Sequence, residues 1–165
     1  MTNDEKQLIA DLISGSLEND DFLKQYPIDL LTNKDYIPQQ LEHAFSEENG
    51  DNVEDLMYLF FRFDEEFDGK YVEVFCKLLR MPWHNQHENM VRLLQGLKDA
   101  RSVNCLYETA LARFEYLDYD DTFALARKCI HALADINNED AREKLKLLTT
   151  SDIQIIREKA EKQLL

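Results

Sequence analysis

The 165-residue chain carries 19 Lys/Arg against 33 Asp/Glu, a formal net charge of −14, and is 44% hydrophobic and 32% charged. That length suits one domain with a substantial core, the apolar content excludes wholesale disorder, and 4 Gly with 3 Pro leave too little turn chemistry for an all-β fold. The charge is uneven, with 7 Lys/Arg and 19 Asp/Glu in residues 1–80 but 12 and 14 in residues 81–165, and a field of this sign repels nucleic acid and anionic membrane surfaces while favouring a basic protein partner.

In chain order, Leu8, Ile9, Leu12 and Ile13 share one face of a helix over 4–14, with Asn3 or Asp4 as its N-cap and Gly15 and Ser16 at its end. A short helix from Asp20 to Gln25 stops before Pro27. Residues 28–36 read as a short helix or a turn. Pro38 then opens a helix carrying Leu41, Ala44 and Phe45. The polar run Ser46–Asn52 breaks the chain around Gly50, and Val53 to Phe63 is apolar on almost every side, the pattern of an inner helix. Tyr71 to Leu79 forms the next helix, ended by Pro82. Helices follow over Asn85–Leu97, from Val103 to Phe114, over Thr122–Ile136, over Ala141–Leu148 and over Ile153–Leu165.

Residues 93–106 (LLQGLKDARSVNCL) and 132–145 (ALADINNEDAREKL) superpose without a gap at an offset of 39. Leu94 falls on Leu133, Leu97 on Ile136 and Leu106 on Leu145. Each copy is the end of one amphipathic helix, a polar turn and the start of another, near the roughly 40-residue period of two-helix repeats. Residues 156–160 (IREKA) and the segments ALADI and LLQGL resemble HEAT-like repeats over about residues 53–165. The turns NNED and KDAR depart from that family's Gly-Asp-Pro-Arg turn, and Ala134 or Gln95 stands where it has Gly. The resemblance implies a short right-handed α-solenoid of antiparallel helix pairs, here a single all-α domain over 1–165 with an irregular helical cap over 1–50. It also implies interaction, not chemistry.

No nucleotide-binding or nucleophile motif occurs, and the serines fall at helix ends. Cys76, Cys105 and Cys129 stand singly among apolar helix positions, so they read as unpaired core thiols in a reducing compartment. The opening MTNDEKQ has no signal-peptide character and no apolar run reaches membrane-span length, so a soluble cytoplasmic protein is expected. Asp64, Glu66, Asp68 and Gly69 match positions 1, 3, 5 and 6 of a calcium loop, but Phe75 occupies the position that needs a bidentate Glu. His84 and His87 miss the spacing of a zinc-binding helix, and Asn85 with Glu88 reads more simply as a capping box. No metal, cofactor or catalytic residue is therefore expected.

The segment Phe114–Phe123 (FEYLDYDDTF) stands out, because Tyr116, Tyr119 and Phe123 interleave with Glu115, Asp118, Asp120 and Asp121. Aromatic side chains supply rigid contact area and carboxylates meet Lys or Arg, although Asp121 could instead serve as a helix cap. The turn containing Asp64, Glu65, Glu66 and Asp68, and Trp83 in the following turn, complete the candidate partner-binding set. The sequence thus points to a non-catalytic binding protein. Small size, acidity and helicity make it similar in class to bacterial immunity proteins that neutralise basic toxins. A scaffold subunit, or a HEAT-type accessory or lyase acting on a bound cofactor, are the alternatives.

Overall fold

A computed structural model describes residues 1–63 and 66–165, and among them it contains only α-helices, two 3-10 segments and turns. The all-α expectation is met. None of the described helices is long and apolar enough to cross a membrane. The chain divides into two compact units, Met1–Glu66 and Phe67–Leu165.

The first unit holds α1 (Asn3–Ser14), α2 (Asn19–Gln25), α3 (Tyr36–Ser46) and α4 (Gly50–Phe63). The cap of α1 is Thr2, one residue before the candidates read from the sequence. Its hydroxyl accepts from the Glu5 amide at 3.2 Å while the Glu5 carboxylate accepts from the Thr2 amide, a reciprocal capping box. Gly15 closes the helix at φ 76°, a left-handed conformation for which Gly carries no steric penalty. Between α3 and α4 the left-handed residue is Glu48 (φ 51°), and Gly50 begins α4. The core is Ile9, Leu12, Phe22, Leu30, Leu41, Val53, Leu56, Leu59 and Phe60, with Phe22 stacked on Phe63 at 5.4 Å between centroids. The Tyr26 and Tyr36 hydroxyls meet in a buried hydrogen bond (2.9 Å), and Tyr36 donates onward to the part-buried Glu5 carboxylate (3.4 Å). Burial pushes both phenols above their usual range, so they stay neutral donors.

The second unit holds α5 (Tyr71–Leu78), α6 (His87–Leu97), α7 (Val103–Leu111), α8 (Ala124–Ile136), α9 (Glu139–Leu148) and α10 (Gln154–Leu164). The sequence duplication has a structural counterpart at its turns. Helix α6 ends in left-handed Lys98 (φ 56°), whose amide donates to the Leu94 carbonyl. Thirty-nine residues on, left-handed Asn137 (φ 53°) donates to Leu133 in the same way. An Asx cap follows each: Asp99 accepts from the Arg101 amide at 2.9 Å, and Asn138 from the Ala141 amide at 2.7 Å. Side chains then join α6 to α8 forty residues apart, Glu88 with Lys128 near the helix starts and Gln95 with Asp135 (2.6 Å) near their ends. Bonds at matching depths mean that α6 and α8 lie side by side in the same direction. Met90, Val91, Leu94, Leu106, Cys129, Ile130, Leu133, Leu145 and Ile156 are the buried seam. Its small residues, Ala110, Ala126, Ala132, Ala141 and Ala160, are all buried as well.

The cysteine reading is overturned. Cys76 on α5 and Cys105 on α7 are joined by a disulfide, with Cα atoms 5.3 Å apart, and only Cys129 is a free, buried thiol. Spacing along the chain gave no hint of this pairing, because it depends on α5 packing beside α7. The cysteines therefore no longer argue for a reducing compartment.

Candidate protein-binding site

The second unit departs from helix between α7 and α8. Helix α7 stops at Leu111, Ala112 turns extended (φ −72°, ψ 153°), and Phe114 follows it inward to near-complete burial. The expected helix through Phe114 is thus three residues too long. A 3-10 turn, Glu115–Leu117, lets the chain reverse, through Leu117 donating to Phe114 at 2.9 Å and Asp120 to Leu117 at 2.9 Å.

Two groups of side chains hold the link in place. The first lies beneath it. The Tyr116 hydroxyl is 2.9 Å from Nδ1 of His87, and Nε2 of the same ring is 2.9 Å from the Met81 carbonyl. A carbonyl only accepts, so Nε2 carries the proton and Nδ1 accepts from Tyr116. His84 repeats the arrangement, with Nε2 donating to the Leu78 carbonyl at 2.8 Å and Nδ1 accepting from the Gln86 amide at 3.1 Å. The two imidazoles stack at 4.2 Å, and the Phe114 ring lies tilted against His87 at 3.8 Å between centroids. Every ring nitrogen is satisfied in the neutral tautomer. Burial, then the neighbouring His84, pushes His87 down to about 3 against the Met81 hydrogen bond, and burial lowers His84 too.

The second group is Asp120. Its carboxylate accepts from the Thr122 amide (2.9 Å), the Thr122 hydroxyl (2.6 Å) and the Ala124 amide (2.7 Å). These bonds, led by the hydroxyl, hold the carboxyl below its ordinary range. Asp120, not Asp121, therefore caps α8. Phe123, the residue before α8, is left-handed (φ 53°), which costs a bulky side chain on the order of 1 kcal/mol. The guanidinium of Arg113 sits 4.5 Å over its ring. Because its carboxylate accepts three hydrogen bonds at the entry to α8, Asp120→Ala is expected to lower the melting temperature clearly more than Asp121→Ala. Equal melting shifts in parallel thermal scans would remove the cap assignment.

The result is a cleft of about 430 Å³, counting the solvent at its mouth, floored by Leu111, Phe114, Leu117, Phe123, Leu125 and Ile153. Arg113, Asp118 and Asp120 stand at its edge. Tyr119 projects beside it with 83% of its surface exposed, and Leu111 is exposed as well. Such a surface offers apolar area, a rigid aromatic and carboxylate acceptors to a side chain with an apolar stem and a cationic head.

The candidates read from the sequence separate here. Asp118, Tyr119 and Asp121 are exposed on the link, whereas Asp120 is occupied as a cap and Tyr116 is half-buried on His87. Trp83 is half-buried too, its ring edge-on to His84 at 5.5 Å, so it belongs to the support under the link. Asp64 and Glu65 lie outside the described residues. Glu66 is exposed, and the Asp68 carboxylate turns back to accept from the Lys70 amide at 2.8 Å. Among the described residues no three His, Cys, Asp or Glu side chains converge as a metal would require. Asn85 with Glu88 forms no capping box either, since α6 begins after Gln86 and Glu88 pairs with Lys128. Phe123, one of the aromatics of the link, lines the cleft, while Arg113 and Ile153 are additions from the structure. Arg113 carried a signal, a cation next to the aromatic–acidic run, but Ile153 reaches the cleft from the residue before α10 through folding alone.

No protein-family profile, curated protein or solved structure matches the chain.

Proposed function

We propose that the protein is a non-catalytic binding module that captures a basic partner protein on the link between α7 and α8. Supporting this is the open cleft with an apolar floor, edged by Asp118, Asp120 and Arg113, with Tyr119 exposed to 83% beside it. The occupant it fits best is a partner segment that puts an aliphatic side chain on Leu117 and Phe123 and a Lys or Arg near Asp118. The net charge of −14 would steer such a partner and speed its encounter. In keeping with the parallel α6 and α8 and their matched turns, we read α6–α10 as a short HEAT-like solenoid of antiparallel pairs, on which the link is the non-repeating insertion. The most specific form of this reading is an inhibitor of the immunity type, holding a basic toxin inactive.

The test is affinity capture at low and high salt, followed by titration of the purified captured protein. Tyr119→Ala combined with Asp118→Asn and Asp121→Asn leaves the Asp120 cap intact. It is expected to weaken binding by about 2 kcal/mol or more, roughly thirtyfold, and to flatten the salt dependence. A partner that binds the variant as tightly as the native chain, with the same response to salt, overturns the reading.

A further inference from the structure

We propose that the link holds its partner as an extended strand, paired through the main chain to Ala112 and Arg113 on the cleft wall, a form of capture that rests on the link being the binding site. Helix α7 gives way at Ala112, whose backbone is extended (φ −72°, ψ 153°), and Phe114 is extended too (φ −122°, ψ 128°). The Ala112 amide still donates to the Thr109 carbonyl at 3.2 Å, the last bond of the helix. Beyond it, the Ala112 carbonyl and both the amide and the carbonyl of Arg113 have no hydrogen-bond partner among the described residues. Pairing resumes at the Phe114 carbonyl, which accepts from Leu117. Ala112 and Arg113 are exposed and belong to the cleft wall, which leaves these three groups to solvent in the free chain.

Unpaired donors and acceptors on an extended stretch are what an incoming strand bonds to. A helix brings no matching groups, because its amides and carbonyls are bonded to one another along its length. On a strand, successive side chains point to opposite faces, so every second residue of the occupant faces the floor at Leu117 and Phe123 while those between face outward. The surroundings decide which residues go where. The floor is apolar, and along the link the cations Arg113 and Arg127 are outnumbered by Glu115, Asp118, Asp120 and Asp121. The occupant is therefore an extended segment of the basic partner in which apolar and cationic residues alternate. Its main chain supplies affinity, and the charges supply steering.

The probe is the acetylated and amidated peptide Lys-Val-Lys-Leu-Lys-Val-Lys, titrated into the full-length chain at about 150 mM salt and followed by amide-resolved NMR. Shifts are expected over residues 111–123, with the Arg113 amide exchanging more slowly in the complex. Two N-methylated forms, one on the valines and leucine and one on the inner lysines, separate the two edges of the strand, because amides of alternate residues point to opposite sides. One form should bind about tenfold more weakly and the other nearly as well as the parent. Arg113→Pro removes the amide while keeping Ala112 extended, and it should weaken the parent peptide about tenfold, whereas Arg113→Ala should not. If Arg113→Pro does not fold, the two N-methylated forms on the native chain decide. Shifts on the link that ignore both N-methylations leave the binding site standing and overturn the strand. No shifts on the link, or shifts confined to residues 1–66, overturn both.

Discussion

Replacement of His87 by Ala is expected to destabilise the second unit by about 3–4 kcal/mol, one of the largest effects of any single polar substitution in the chain. His87 is 0% exposed. Phe114 packs at 3.8 Å and His84 at 4.2 Å, while Met81 and Tyr116 each make a hydrogen bond of 2.9 Å. Truncation leaves a cavity and orphans the Met81 carbonyl, and these costs add. His87→Phe restores the volume without the hydrogen bonds and should recover about half the loss. The chain's single tryptophan is the reporter, since Trp83 sits edge-on to His84 in the same stack. A fluorescence-detected urea transition that moves by under about 1 kcal/mol in His87→Ala would show that the stack bears little of the stability.

The same residue couples this unit to acid. Unfolded histidine takes up a proton near pH 6.5, whereas folded His87 resists it until about pH 3. Between those values the unfolded chain binds the extra proton, so stability rises with pH and is lost as pH falls. The contribution is complete above the unfolded value and disappears progressively toward about pH 3. A single histidine adds up to about 1.4 kcal/mol per pH unit within that window, and His84, lowered in the same direction, steepens the slope. In His87→Phe the slope between pH 6 and 4 should therefore be shallower by close to one proton.

What the sequence made legible was whatever depends on neighbours within about one turn. Leu94 and Leu133 were paired from their spacing alone, and both receive the left-handed cap bond that closes their helices. Helix order followed from apolar periodicity for the same reason. The errors fall where a side chain has several local options or a distant partner. Asp121 and Asp120 are equally good caps on paper, and only the left-handed Phe123 decides in favour of Asp120. The spacing of His84 and His87 suggests metal ligands or cap neighbours, but their carbonyl partners at Leu78 and Met81 appear only once the chain folds back at Pro82. Tyr116 looked like an exposed anchor until His87, 29 residues earlier, took its hydroxyl. The cysteine pair is the sharpest case. Each residue fits an apolar helix position, and nothing in a linear reading brings 76 to 105.

That pair supports the second large expectation. Reduction of the disulfide, or Cys76→Ser with Cys105→Ser, should lower stability by about 3 kcal/mol. The sulfurs close a loop with a sequence separation of 29 residues, containing the 79–86 turn, all of α6 and the start of α7. Opening it restores chain freedom to the unfolded state, where most of the effect arises on the entropic account. Little else would compensate. The Arg80–Glu108 pair also ties the end of α5 to α7, but both side chains are close to half-exposed, and ion pairs of that kind contribute only about 0–1 kcal/mol. The measurement is a urea transition with and without reductant, on native and double-Ser protein. The native midpoint should fall on reduction to near that of the variant, whose own midpoint should ignore reductant. If the native protein is also indifferent to reductant, or if native mass analysis counts three free thiols, α5 and α7 are held together by packing alone.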